Sequence, residues 1–275
     1  MRAGMAADGA PMANDSAVRG ADIAYWPFGG QGPATLLLHG FGADHLSWLA
    51  NQQALATVAA VSAIDLPGHG ESSLDVGDAS VGTLAARIAA LLDRKNLRKV
   101  HLVGHSLGGV AALVLAETWP DLVASLVLIA PAGLGRAIDR EFLSDFPRLK
   151  TPEAAALLLQ RLVARPRLIN RHMVARVLEQ LERPGAREAL TRIGDALARS
   201  DEALARAIAS TSVSTLPRLV VWGEDDAINP LARERIEAFG GEMFLVREAG
   251  HMPHVEAARL VNERICAFLA DQKQS

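Results

Sequence analysis

The chain has 275 residues, 28 of them basic and 31 acidic, giving a formal charge of −3. That balance excludes a polybasic surface for nucleic acid or an anionic membrane. Half the residues are hydrophobic, enough for one α/β core with an inserted segment, and a single cysteine excludes an internal disulfide and a multi-cysteine zinc cluster.

In chain order, residues 1–16 are rich in Ala, Gly, Asp, Asn and Pro and lack the apolar core of a signal peptide. Nowhere does an uncharged apolar run approach about 18 residues, the length that crosses a membrane. A soluble cytoplasmic protein with no membrane partner and a loose tail over residues 1–20 is expected. Residues 22–28 fit an antiparallel edge strand. Short apolar runs at 34–39, 58–65, 99–103, 125–129, 218–222 and 242–247 fit strands buried on both faces. Between them, 81–95, 107–118, 230–239 and 254–270 have helical periods. This alternation predicts an α/β fold with a mostly parallel central sheet flanked by helices.

One region departs from it. From 133 to 214 no strand pattern occurs, while Met173, Val174, Val177, Leu178 and Leu181 recur at helical spacing and Pro147, Pro152, Pro166 and Pro184 punctuate the segment. It reads as an inserted cap of three to five short helices. The organisation is thus a tail (1–20), a core (21–132 and 215–275) and a cap (133–214). Cys266, beside Ile265 and Phe268 in the last helical pattern, reads as a buried structural thiol.

The residues that carry chemistry lie where predicted strands end. Residues 100–109 read V-H-L-V-G-H-S-L-G-G, a strand entering G-x-S-x-G and then a helix. Ser106 on such a turn projects its hydroxyl above the sheet, and the glycines relieve crowding between strand and helix. The following helix directs backbone N–H groups at the same point. Residues 36–42 read L-L-L-H-G-F-G. A tetrahedral oxyanion needs two donors already in place, and the backbone N–H groups of Phe41 and Leu107 are the candidates. His39 reads as a structural loop residue.

Residues 249–254 read A-G-H-M-P-H after the last strand, which places His251 where a loop can bring it over Ser106. His254, just inside the next helix, would point away. The spacing of the two does not match a helical metal pair, which needs i, i+4. Residues 223–230 read G-E-D-D-A-I-N-P. Of Glu224, Asp225 and Asp226, the last lies deepest in the turn and is the candidate to orient the imidazole. No metal or cofactor is called for.

Together H-G-F-G at 39–42, D-L-P-G-H-G-E-S at 65–72, G-H-S-L-G-G at 104–109, W-G-E-D-D at 222–226 and G-H-M-P-H-V-E at 250–256 resemble the α/β-hydrolase superfamily. The resemblance spans about residues 20–271 and implies the order nucleophile–acid–base: Ser106, Asp226, His251. Residues 65–72 would structure a turn near the site. The stretch around Trp48, L-V-L-I-A-P-A-G-L-G at 126–135 and the insert are similar to the hydrolase-like C-terminal domain of acetoin dehydrogenase E2 components, the dihydrolipoamide acetyltransferases. That likeness implies acetyl transfer between CoA and a dihydrolipoyl thiol. Residues 1–20 are too few for a lipoyl domain and hold no lipoylatable lysine motif, so any lipoamide would come from a separate lipoyl-bearing chain. Three functions follow: hydrolysis of a small-to-medium ester or thioester through an acyl-enzyme on Ser106, acyl transfer to a thiol, and non-enzymatic binding of a small molecule on the same fold. The sequence sets no oligomeric state.

Overall fold

The computed structural model describes residues 23–212 and 214–272. The expected tail over 1–20 lies outside the described residues. Seven strands, β1 (Tyr25–Gly29), β2 (Ala34–Leu38), β3 (Ala60–Ile64), β4 (Val100–His105), β5 (Val123–Ile129), β6 (Arg218–Gly223) and β7 (Glu242–Val246), form one sheet. Their spatial order is β1-β3-β2-β4-β5-β6-β7. β1 pairs antiparallel with β3, and every other pairing is parallel. The chain therefore has the α/β-hydrolase fold, with its predicted edge strand in place.

Period-2 alternation sends successive side chains to opposite faces of the sheet. Leu36 and Leu38 face one cluster, with α1 (Val81–Arg94) and α2 (Leu107–Thr118). Leu37, Val103 and Val127 face the other, with Trp48, Leu55 and the C-terminal helix. The hydroxyl of Ser80 caps α1 by accepting the Thr83 N–H at 3.1 Å. α2 has no polar face: residues 107–116 are all buried, because α1 packs on one side of it and a cap helix on another.

The cap between β5 and β6 has five helices, α3 (Arg140–Asp145), α4 (Pro152–Gln160), α5 (Arg171–Glu182), α6 (Ala186–Ala198) and α7 (Asp201–Ser212). Each of the first three begins at a residue whose side chain accepts backbone N–H groups, Asp139, Thr151 and Asn170 in turn. α7 lies along α2. α5 buries Val174 and Leu181, the inner members of the predicted stripe. Its Arg176 donates to Asp44 through Nε at 3.2 Å, and Gln180 donates to the same carboxylate. Asp44 is buried in the loop after β2, so the cap is tied to that loop by charge as well as by packing.

Some boundaries differ from expectation. β4 runs two residues further than predicted, because Gly104 pairs with Leu38 on one side and Leu128 on the other instead of opening the turn. The helix predicted from 230 begins later, as α8 (Arg233–Phe239), since residues 227–230 wrap the Asp226 carboxylate. The last helical stretch is split: Pro253–Glu256 forms one turn, Ala257 leaves helical geometry at φ −126° and ψ 44°, and α9 (Ala258–Asp271) follows. No helix among the described residues is long and apolar enough to cross a membrane.

Candidate active site

β4 delivers the chain to Ser106, which has φ 50° and ψ −112°. A non-glycine residue there costs about 1–3 kcal/mol and persists only where its surroundings hold it. Here the Ser106 N–H donates to the Ile129 carbonyl at 2.9 Å, while its own carbonyl accepts the Val110 N–H at 3.1 Å. The flanking glycines have separate tasks. A Cβ at Gly104 would begin 2.5 Å from the Gly108 carbonyl oxygen, across the turn itself. A Cβ at Gly108 would overlap the Leu38 and His39 carbonyls, so this glycine seats α2 against the end of β2.

The loop after β2 passes beside Ser106: a Cβ at Gly40 would begin 3.4 Å from that of Ser106. The Phe41 N–H has no acceptor among the described residues. Leu107 opens α2, where a first-turn N–H has no intrahelical acceptor. The N–H groups of the two predicted donors are thus uncommitted among the described residues, one next to Ser106 in sequence and the other next to Gly40, which borders it. His39 is structural, as expected. Its Nδ1 donates to the Gly40 carbonyl and its Nε2 accepts the Leu66 N–H, both at 2.8 Å, and burial holds its pKa below 6.5.

His251 and Asp226 meet in the interior, 2% and 5% exposed. The His251 Nδ1–H donates to Asp226 Oδ2 at 2.8 Å, because a carboxylate only accepts. That assignment leaves Nε2 as the basic nitrogen of the neutral ring. Asp226 Oδ1 accepts the N–H groups of Ile228 and Asn229 at 2.9 and 2.8 Å. Neighbouring Glu224 and Asp225 are exposed on the same turn. The choice of Asp226 over Asp225 thus has a geometric basis.

His105 supplies a contact that sequence reasoning missed. Its Nε2–H donates to the main-chain carbonyl of His251 at 2.8 Å, tying the elbow to the histidine loop. The signal was a titratable residue inside G-H-S, where only a spacer was read. His254 is fully buried, its ring centroid 4.6 Å from that of His105 and 4.8 Å from that of Trp48, so it packs behind the elbow.

Residues 65–72 do form a turn beside the site, and Asp65 organises it. Its carboxylate accepts the His45 N–H at 2.8 Å, the Glu71 N–H at 2.9 Å and the Trp26 indole N–H at 3.1 Å. Burial pushes the Asp65 carboxyl up, but these donors and nearby His39 outweigh it and hold it below 3.8. Cys266 is half-buried, its thiol donating to the Ala54 carbonyl at 3.5 Å and pushed up in pKa by burial. No metal-binding group of three or more His, Cys, Asp or Glu side chains occurs among the described residues.

Ser106 is only 5% exposed beneath the cap. Phe146 of the cap packs on Phe41 with ring centroids 5.6 Å apart. Beside Leu107 a cavity lined by Pro67, Val76, Leu84, Ile193 and Leu197 has a volume of about 10 Å³, room for about one water.

The sequence from 35 to 264 matches the alpha/beta hydrolase family. The chain belongs to that family. It is 39% identical over 260 residues to the dihydrolipoyllysine-residue acetyltransferase component of the acetoin cleaving system of Pseudomonas putida, covering 94% of this chain and 70% of that protein. Against the component of the same name from Cupriavidus necator it is 33% identical, over 89% of this chain and 66% of the relative. Among solved structures, the meta-cleavage product hydrolase of Pseudomonas fluorescens superposes with a TM-score of 0.82 at 21% identity, over 92% of this chain and 95% of the other. A thermophilic esterase from Thermogutta terrifontis gives 0.75 at 25% identity, over 92% and 94%. The meta-cleavage hydrolase thus shares this fold at an identity too low to speak of activity.

The buried imidazoles make folding sensitive to acid. Burial lowers His69 and His254 from 6.5 to about 3, with His39 and His251 respectively adding to the effect. Below about pH 6.5 the unfolded chain binds protons at these rings that the folded chain refuses, so the stability from keeping them neutral is lost progressively from pH 6.5 down to 3. Thermal melts should show Tm falling over that window, and His254→Phe should flatten the slope.

Proposed function

We propose that this protein is a serine hydrolase that cleaves a small ester or thioester through an acyl-enzyme on Ser106. The observation that carries the reading is the convergence, at one end of the sheet, of a strained serine elbow and a buried Asp226–His251 pair. In the first half-reaction Ser106 Oγ attacks the acyl carbon while its proton passes to His251 Nε2. Phe41 and Leu107 donate to the oxyanion that forms. Collapse breaks the bond to the alkoxide or thiolate, which leaves with the proton from Nε2. Water then repeats the sequence, and the carboxylic acid departs. Asp226 holds the ring in the tautomer that leaves Nε2 unprotonated and offsets the imidazolium charge in both steps.

A second reading replaces that water by a thiol. It is favoured by the likeness to the two acetoin-cleaving-system acetyltransferase components. His251 would activate a dihydrolipoyl thiol as it activates water, with acetyl-CoA as the acyl donor. A separate chain would carry the lipoyl group.

Three measurements bear on these readings. Ser106→Ala and Asp226→Asn should each lower kcat for p-nitrophenyl acetate by roughly 10⁴-fold or more, while Asp225→Asn stays near wild type; a wild-type rate for Ser106→Ala defeats the serine mechanism. Incubated with acetyl-CoA and dihydrolipoamide, the protein should yield S-acetyldihydrolipoamide if the second reading holds, whereas free acetate alone rejects it. The cavity lined by Leu107 and Ile193, which neither Ser106 nor His251 lines, is taken in this reading as the space an acyl chain enters from the site. Ile193→Ala, which removes one wall, should raise kcat/KM for hexanoyl relative to acetyl esters by roughly tenfold or more; an unchanged ratio places the acyl chain elsewhere.

A further inference from the structure

We propose that Glu256 is a positioning residue that fastens the helical cap to the loop carrying His251, so that cap closure and placement of the base occur together. The inference rests on the reading of His251 as the base.

Glu256 ends the single helical turn that follows His251 and is 8% exposed. Its two carboxylate oxygens go to different parts of the protein. Oε1 accepts the N–H of Gly250, the residue before His251, at 2.6 Å. Oε2 accepts the N–H of Ala164, in the cap segment between α4 and α5, at 2.9 Å. The guanidinium of Arg165, next to Ala164, donates to the Glu256 main-chain carbonyl. Cap and loop also touch directly, since a Cβ at Gly250 would begin 2.8 Å from the Ala164 nitrogen. Any shift of the cap at Ala164 therefore pulls on the peptide that enters His251.

The same contacts define what Glu256 does not do. Both oxygens are engaged by backbone donors, which suits a fixed acceptor and not an acid or base acting on substrate. A backbone N–H bonded to a carboxylate is held more firmly than one bonded to a neutral acceptor. The His251 main chain is then fixed from two sides, by Glu256 at the Gly250 N–H and by His105 at the His251 carbonyl, while Asp226 fixes the ring. Removing Glu256 frees one of the three holds and leaves the serine elbow untouched.

The test compares Glu256→Gln, Glu256→Asp and Glu256→Ala in the full chain. Each is measured for kcat and KM on p-nitrophenyl acetate, with active sites counted by fluorophosphonate labelling and folding followed by Tm. Gln keeps one acceptor oxygen but sets an NH2 group against the second N–H. Asp keeps the charge but is one methylene too short to span both donors. Misplacement of a catalytic group by about 1 Å costs on the order of 10²-fold. Accordingly kcat per labelled site should fall roughly tenfold in Gln and Asp and roughly a hundredfold in Ala, with KM within about threefold of wild type. Fluorophosphonate labelling should slow in the same order. Wild-type kcat per labelled site in Gln and Asp, whatever the loss in Tm, would overturn the proposal and leave Glu256 a folding contact. Full rescue by Asp would also overturn it, because charge alone would then suffice. Both outcomes are distinct from failure of the serine mechanism, which Ser106→Ala reports.

Discussion

The strained backbone of Ser106 is the constraint around which the rest of the molecule is arranged. With φ at 50°, β4 and α2 meet at an angle that neither element adopts alone. The hold comes from neighbours: the Ile129 carbonyl at the end of β5, and the carbonyls of Leu38 and His39 at the end of β2, which leave no room for a side chain at Gly108. Those two strands flank β4 in the sheet. The sheet order is therefore what makes the elbow tenable. The cost of about 1–3 kcal/mol is modest beside the burial of every residue of β4 and of the first ten of α2. In return the Ser106 hydroxyl and the Leu107 N–H are held at one point beside the loop of Phe41.

A second consequence is electrostatic. Burial holds His105 and His254 neutral behind His251, and they lie in ring contact with it or with each other. Each would oppose a new positive charge on His251 if it were protonated. Kept neutral, they place polarisable rings and no competing cation behind the proposed base, while Asp226 supplies the carboxylate hydrogen-bonded to it. His105 adds a fixed N–H to the His251 carbonyl, which removes freedom from the main chain without adding charge. Desolvation thus does two things: it narrows the range of pH in which the fold is most stable, and it leaves Asp226 as the charge that decides which nitrogen of His251 carries the proton.

Legibility in the sequence follows from how local each feature is. The strands were readable because LLL at 36–38, LVLI at 126–129 and LVVW at 219–222 must be buried on both faces, and the elbow because G-x-S-x-G sits between a strand and a helix. Asp226 was readable from its depth in the turn, which the structure explains by the Ile228 and Asn229 N–H groups it accepts. What escaped notice depends on chain distance. Asp44 meets Arg176 across 132 positions and Glu256 meets Ala164 across 92, and neither pair has a local pattern. The helical period over 254–270 passes through Ala257, where the backbone leaves the helix for a reason no local pattern shows. Gly104 reads locally as part of the turn although its backbone still pairs on both sides, something only the neighbouring strands can reveal.

In the proposed mechanism the choice between water and thiol as acyl acceptor is not made by Ser106, Asp226 and His251, since Nε2 of His251 would serve either nucleophile. It must be made by access. Phe146 of the cap lies on Phe41, and Ser106 is buried. In the proposed mechanism a dihydrolipoyl arm, far larger than a water, would have to pass the cap while the acyl-enzyme survives. Two of the ties between cap and core end close to the site: Asp44 with Arg176 and Gln180 on one side, Glu256 with Ala164 and Arg165 on the other. The first ends in the loop of the proposed oxyanion donor Phe41 and the second beside His251. On that proposal, an opening wide enough for a thiol arm would disturb both the loop of Phe41 and that of His251, and transfer would demand that they return before attack. A partner that held the cap open without breaking those ties would favour the thiol; a cap that opens only briefly favours water.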